Sequence, residues 1–426
     1  SLAWLNYLKL RTAYGSVGND ASAGMYAYWA LYAFNSPLNN NGTITPTQIA
    51  APNIKWEATK TFDIALEGSM FDDRFNFSVG YFNKRNSDLL YNVTLPASVG
   101  TLENSGYNPS ITTNIGTMQN IGWELAFGYD IIRNSDLRWS FNIDATFMKN
   151  KIVKLPKMQD IANSALFIGK SRYEKYTYAW AGVDQLTGQS LYEMCPDSPD
   201  YYTYNEAGEK IYNQALWESN LANAKRAGAY VEVNGVPYTT NTTYARRKIM
   251  GTALPTVYGS FGTNLSWKGI NLGMLFTYSL GGKSMNSIYQ GLMTVGTTTV
   301  SALHKDLAKA WTKAPEGMTE DSPNRIDPNG VPQLNTELNQ YSNAQSSQHL
   351  ISNSYLTFKN LNISYDFPSA WVSAMKMQNL NIGLAIDNLF IATKQKGFNP
   401  QYSFSGGQGQ YYVPARVFSF QLSVKF

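Results

Sequence analysis

The feature that most constrains this chain is a two-residue alternation of apolar and polar side chains, kept up for roughly nine residues or more at a time. The C-terminal RVFSFQLSVKF sets Phe418, Phe420, Leu422, Val424 and Phe426 on one face and Ser419, Gln421, Ser423 and Lys425 on the other. Successive strand side chains point to opposite sides, so one face is wholly apolar. An exposed strand of that kind invites aggregation unless a second sheet or lipid covers it.

The pattern recurs in pairs. Phe62, Ile64 and Leu66 share a face opposite Asp63, Ala65 and Glu67; after Asp72 and Asp73 the apolar face resumes with Phe75, Phe77, Val79 and Tyr81. Those two aspartates are read as turn chemistry, not as an acid/base pair. Ile121 to Tyr129 pairs in character with Trp139 to Phe147 across RNSDL, and Phe261 to Trp267 with Leu272 to Tyr278 across KGIN. A fourth pair joins Leu361–Phe367 to Leu380–Ile386 by a longer connection around Pro368 and Trp371.

Between these hairpins lie long segments, near 16–53, 88–114, 151–253, 282–352 and 391–413. Unstructured loops beyond about 15 residues are uncommon inside compact soluble domains. Short turns at one end and long loops at the other describe an outer-membrane β-barrel. Strand length agrees, since a tilted strand needs about 9–11 residues to cross a bilayer. The fold expected is therefore all-β: a transmembrane antiparallel β-barrel with short periplasmic turns and long extracellular loops. This chain supplies about ten strands, or twelve if residues 171–194 add a hairpin around DQLTGQ.

Parity then sorts the side chains. Asp63, Glu67, Glu124, Asn142, Asp144, Asn264, Asn381 and Asp387 fall on the polar face and are expected to line the lumen. Phe71, Phe75, Tyr129, Trp139, Trp267, Phe367 and Phe426 cluster beside the short turns, where a membrane-interface girdle belongs. With short turns periplasmic, both chain ends are expected in the periplasm, and outer-membrane lipid covers the apolar face.

Composition narrows the chemistry. Charged residues are 15% of the chain and aromatics 14%, with 29 Tyr and 20 Phe, a balance that favours pleated, half-buried surfaces. The net charge of +4 is spread without a basic run, so no nucleic-acid partner is expected. The single cysteine, Cys195, has no partner for a disulfide or zinc site and is read as a lone loop thiol. The two histidines, His304 and His349, lack zincin spacing and are read as solvated loop residues. There is no nucleophile elbow, Walker loop or dinucleotide fingerprint, so neither an enzyme nor a cofactor is expected. The glycine-rich SGGQGQ reads as a loop tip. SALHKDLAKAWTK, with Leu303, Leu307 and Trp311 four apart, reads as a short amphipathic helix. The Tyr- and Trp-rich stretch PDYYTYNEAGEKIYNQALWES suits a sugar or peptide platform, and still better a protein interface. On residues alone, a passive pore and a soluble carbohydrate-binding module stand as alternatives; the histidine poverty counts against an outer-membrane hydrolase.

Seven phrases in order carry a family resemblance: LNYLKLRTAYGSVGN, NIKWEATKTFDIALEGSMFDDRFNFSVGYFNKRNSDLLY, NIGTMQNIGWELAFGYDII, AGVDQLTGQSLY, ALPTVYGSFGTNLSWKGINLGMLFTYSLGGK, SYLTFKNLNISYDFP, and IDNLF followed by KGFNP. Together they resemble the C-terminal barrel portion of SusC/RagA-type TonB-dependent outer-membrane transporters. The resemblance implies a barrel of about 22 strands, of which residues 1–426 supply the C-terminal part. The family's signal peptide, TonB box, plug and first strands are not seen in this sequence. It also implies energised import of oligosaccharides or peptides, a SusD-like surface lipoprotein as lid, and TonB acting through the family's N-terminal part.

Overall fold

The structure, a computed structural model, describes residues 4–21, 23, 26–38, 41–94, 110–156, 160–161, 165–205, 207–295, 302–336, 343–394, 399–402 and 413–426. SGGQGQ lies outside the described residues. The chain divides into two units, one of residues 1–130, 142–161 and 166–172, the other of 131–141, 162–165 and 173–426.

In the first unit β1 (Leu5–Asn19), β2 (Glu57–Met70), β3 (Phe75–Ser87) and β4 (Thr117–Arg133) lie side by side in chain order, each antiparallel to the one before, with β5 (Leu137–Lys154) next. In the second, β6 (Pro255–Trp267), β7 (Ile270–Gly281), β8 (Tyr355–Asp366), β9 (Asn379–Thr393) and β10 (Val417–Lys425) repeat the arrangement. Among the described residues these ten are the long strands, from 9 to 18 residues each.

The short connections follow from local chemistry. Between β2 and β3, Phe71, Asp72 and Asp73 all take positive φ (57, 56 and 63°). The Asp73 carboxylate meets the Ser69 hydroxyl, and Asn76 Nδ2 donates to the Asp73 carbonyl at 3.1 Å. Between β6 and β7, Lys268 and Gly269 have φ of 46 and 87°, the two-residue geometry whose twist matches a hairpin. A Cβ at Gly269 would sit 2.5 Å from the Asp366 carbonyl oxygen, so only glycine fits. β8 and β9 are joined through the short helix Ser369–Ala374.

Pairing keeps faces together. Leu66 opposes Leu10 and Val79, and Val79 opposes Leu125. In the second unit Phe261, Phe276, Phe358 and Phe390 form a ladder, with centroids 4.9, 4.3 and 5.8 Å apart. Cross-strand aromatic pairs of this kind add to sheet stability and pin register. Lys359 is an extra residue in β8, where the pairing steps from Asn360 to Phe358; such bulges bend a strand and re-aim side chains.

The driest packing lies elsewhere. Val183, Leu191, Tyr192, Met194 and Tyr201 are fully buried, and all belong to the connection between β5 and β6. The hairpin around DQLTGQ (Trp180–Asp184 with Ser190–Glu193) does form, but in a separate small sheet with Tyr230–Val233, Val236–Thr239 and Ile326–Asp327. It adds no strand to the long-stranded sheet, so ten rather than twelve long strands are present among the described residues. Helix α1 (Gln214–Arg226) is capped by Asn213, whose Oδ1 accepts from Leu216 N, and Lys225 and Arg226 occupy its last turn, a favourable place for cations. The amphipathic helix expected near 301–313 is instead one 3-10 turn, Lys305–Lys309, begun by a His304 cap.

Candidate functional site

The polar strand face brings several expected lumen residues together. In the first unit Glu67 stands opposite Lys9 and Ser78 and takes a 3.2 Å hydrogen bond from Arg11 Nε, with Lys9 Nζ at 3.8 Å. Asp63 opposes Ala13 and Phe82; Glu124 opposes Gly80. Asn142 and Asp144 line an open concavity of about 350 Å³ with Tyr7, Asn76 and Ser78. The face is not uniformly polar. Phe82 is buried there, and a Cβ on Gly122 would collide with its ring.

In the second unit a polar file crosses four strands near the short turns. The Ser266 hydroxyl meets Asn271 Oδ1, Asn271 Nδ2 donates to Asp366 Oδ2 at 2.8 Å, and Asn381 Nδ2 donates to Asp366 Oδ1 at 2.7 Å. Asn381 is among the residues expected on this face; Ser266, Asn271 and Asp366 are additions to it, although their parity signals it. Asp387 belongs to a different cluster, accepting from Asn360 Nδ2 at 2.8 Å beside a Lys359–Asn388 contact of the same length. Asn264 opposes Gly273, with its Oδ1 3.3 Å from a Cβ placed there.

All seven expected interface aromatics sit at the short-turn ends of their strands. Phe71 packs on Trp4 with centroids 6.4 Å apart; Phe75 touches Phe127 at 6.2 Å and Tyr129 at 6.5 Å. Trp139 donates Nε1 to Thr263 Oγ1 at 2.8 Å, Lys268 Nζ lies 5.9 Å from the Trp267 ring, and Phe367 packs on Tyr365 and Trp371. Phe426 is 79% exposed.

The connections between strands carry the remaining chemistry, and here several readings change. In PDYYTYNEAGEKIYNQALWES one ring is committed to local packing: Tyr201 is buried, edge-on to Trp217 at 5.4 Å and to Tyr212 at 6.2 Å. Tyr202–Tyr204 and Lys210–Tyr212 pair as a short hairpin within the stretch, and Tyr202, Tyr204, Tyr212 and Trp217 stay half-buried. Cys195 is a buried thiol, pushed up to about 12 by burial and by neighbouring Glu193. His349 is not solvated. It is 1% exposed, its two ring nitrogens have no partner, and burial lowers its pKa to about 4. His304 is half-buried and near Asp306, Nδ1 to Oδ2 3.2 Å. Asp184 and Arg325 form a buried bidentate pair, both contacts 3.0 Å. No cluster of three or more potential metal ligands occurs among the described residues.

The family profile described as "TonB dependent receptor-like, beta-barrel" matches residues 1–389. The chain belongs to that family. It is 25% identical to TonB-dependent receptor P39 of Formosa agariphila over 435 residues, 95% of this chain and 38% of the relative. It is 24% identical to TonB-dependent receptor SusC of Bacteroides thetaiotaomicron over 442 residues, 99% of this chain and 38% of SusC. A solved structure of the RagAB peptide transporter superposes with a TM-score of 0.73 at 22% identity, over 99% of this chain and 41% of that one. The fold is thus that of an outer-membrane TonB-dependent receptor barrel. This chain spans about two fifths of the length of the relatives it matches.

Proposed function

We propose that this chain is the barrel-forming part of an outer-membrane importer energised through TonB. In this reading the apolar strand face meets lipid and the polar face lines the lumen. There Asp63, Glu67, Glu124, Asn142, Asp144, Asn264, Asn381 and Asp387 contact a plug or the substrate path. Phe71, Phe75, Tyr129, Trp139, Trp267, Phe367 and Phe426 form the girdle at the periplasmic interface, with both chain ends on that side. A SusD-like lipoprotein closes over the long connections and hands over oligosaccharides or peptides.

The observation that carries the reading is the segregation of faces across five consecutive strands in each unit, with short connections at one end only. That pattern needs lipid on one side and a hydrated or filled interior on the other. RagAB is a peptide transporter, and SusC is a TonB-dependent receptor; both support import as the activity. The test is uptake of labelled neutral oligosaccharides and peptides by cells with and without the gene. Uptake is expected to depend on the gene and to collapse when the proton-motive force is dissipated, and a surface lipoprotein is expected to co-purify. Uptake that persists without TonB would instead mark a passive pore.

A further inference from the structure

The apolar strand face of the first unit ends in a row of cations. On β2 Phe62, Ile64 and Leu66 are exposed on that face, and the next residue along it is Lys60, also exposed. Lys60 stands directly opposite Arg85 of β3, which continues the face of Val79 and Tyr81, and Arg85 stands opposite Gln119 of β4. The pairing of these three strands runs without a bulge, so parity holds up to this height. On β5 Lys149 and then Lys151 follow Phe147 on the same face. Asn150 Nδ2 donates to Asn120 Oδ1 at 2.7 Å on the opposite face, which brings both lysines beside the Gln119 end of β4.

Like charges set directly opposite each other destabilise a sheet, and nothing within the protein answers this pair. Among the described residues Lys60, Arg85, Lys149 and Lys151 make no side-chain hydrogen bond or ion pair. Cations of the polar face are engaged instead: Arg11 and Lys9 meet Glu67, and Lys84 Nζ lies 5.5 Å from the Phe82 ring. Height places the row. Lys60 is ten residues along β2 from Met70, at the short-turn end. At about 3.3 Å per residue and a tilt of about 40°, that is ~25 Å along the membrane normal, the height of a barrel's apolar band. The row falls at the far edge of the band, on the outer-leaflet side. Tyr81 and Trp123, cross-strand neighbours with centroids 5.3 Å apart, lie just below it, as an interfacial aromatic belt does.

We propose that this row binds the phosphate of an outer-leaflet glycolipid, with Lys60 and Arg85 as the phosphate contacts and Lys149 and Lys151 widening the basic surface. A phosphate supplies the negative charge that two opposed cations lack; a guanidinium takes it bidentately and an ammonium adds a point charge. Long Lys and Arg side chains at the edge of the band lay their stems on apolar surface and send their charged heads into the headgroup layer. Acyl chains of the same lipid continue down over Phe62, Ile64 and Val79, so one molecule meets both the cations and the apolar face beneath them. A soluble anion would meet only the first. From β2 to β5 the row crosses three strand spacings, about 14 Å, a width that suits a sugar headgroup better than a single phosphoglycerol. This inference rests on the lipid-facing reading of the apolar face and adds a headgroup to it.

The test uses the full-length receptor extracted from outer membranes, stripped of lipid in detergent and followed by native mass spectrometry. The probes are monophosphoryl lipid A, its dephosphorylated form and phosphatidylglycerol. Wild-type receptor is expected to retain monophosphoryl lipid A at least 10-fold better than the dephosphorylated form, and better than phosphatidylglycerol. The double variant Lys60→Gln, Arg85→Gln is expected to lose that retention 10-fold or more. Lys84→Gln, which removes one charge from the polar face of the same strand, is expected to leave it unchanged. Unchanged heat-modifiable gel migration checks that each variant is folded. Equal retention of the dephosphorylated form, full retention in the double variant, or an equal loss in Lys84→Gln would overturn the phosphate site. Equal retention of phosphatidylglycerol would overturn the glycolipid as its occupant. Gene-dependent, TonB-dependent uptake and lipid exposure of the apolar face would survive each of these results, so the readings fail separately.

Discussion

The Asp184–Arg325 pair shows how much a single contact can decide in a loop insert. Both side chains are almost fully buried, Asp184 completely, and the two 3.0 Å contacts join residues 141 positions apart. Removing one partner of a buried pair leaves an uncompensated charge, at a cost of about 3–5 kcal/mol. Arg325→Ala should therefore loosen the small sheet that holds Val183 against Asp327. Faster limited proteolysis within residues 171–194, with the long strands intact, is the expected result. Gly188 has φ of 71° and lies against the Trp311 ring, whose Nε1 donates to the Gln185 carbonyl at 3.1 Å. Gly188→Ala combines a left-handed backbone strain with a collision, and should produce the same proteolytic signature. Cys195 should stay unreactive toward a thiol reagent at neutral pH until the protein is denatured, because burial holds its proton on up to about pH 12. Much at this scale is beyond the reach of sequence. Parity assigns Asn381 and Asp387 to one face, but parity carries no information on which neighbours meet. The Asn271–Asp366–Asn381 file depends on register between strands as far apart as Asn271 and Asn381. Nor does anything local in SSQHL mark His349 as buried, since the ring of Tyr289, 6.3 Å from its own, lies far off in the chain.

At the scale of elements, strands and hairpin turns are legible because their rules are local. Period-two alternation locates β2, β3, β6, β7 and β10, and KGIN carries its own turn chemistry. The loop inserts are not legible to the same degree. Trp180–Asp184 and Ser190–Glu193 form a hairpin of only a few residues whose partners lie near 238 and 326, so nothing in its own pattern separates it from a barrel hairpin. Helix α1 does carry local signals of its own: the Asn213 cap, an Ala-rich run, and Leu216, Asn220 and Ala224 four apart. The segment around His349 also makes a pH prediction. Its folded pKa, about 4, lies below the ordinary 6.5 because of burial, with no charged group among the causes. Tyr289, whose ring lies 6.3 Å from that of His349, donates its hydroxyl to Asp306, which also meets His304 and Lys309. A loosened segment therefore takes up a proton before the folded one does. The stability that His349 contributes is complete above pH 6.5 and is lost as pH falls through about 4. Hydrogen exchange at residues 343–350 should accelerate over that window in wild type, and His349→Phe should flatten the dependence. An unchanged profile in the variant would assign the effect to another group.

For the whole molecule, the organising fact is that apolar side chains serve two different surroundings. In the loop insert they make a dry core around Tyr192 and Tyr201; on the strands they stand outward, Phe420 at 84% and Leu422 at 68% exposed. An aqueous protein could not keep the second set uncovered. Leu384 lies mid-strand on that face, opposite Ile363 and Phe420. Leu384→Lys should cost about 2–4 kcal/mol in the bilayer, while Asn362→Lys, opposite Gly273 and Ala385 on the other face, should be far milder. Yield of folded protein in outer membranes, with urea unfolding in vesicles, separates the two. The face assignment is legible from sequence because alternation runs along most of the long strands, and it is lost where an extra residue such as Lys359 shifts the pairing; the family comes from phrases spread along the chain, and the ligand from neither. The most direct measurement is a nitroxide scan of β9 from Leu380 to Asp387, in a Cys195→Ala background and in reconstituted outer-membrane vesicles. Collision with oxygen should peak at Ile382, Leu384 and Ile386 and fall at Asn381, Gly383, Ala385 and Asp387. A flat profile, or aqueous quencher reaching Leu384 as readily as Ala385, would contradict a lipid-facing apolar surface and with it the barrel account.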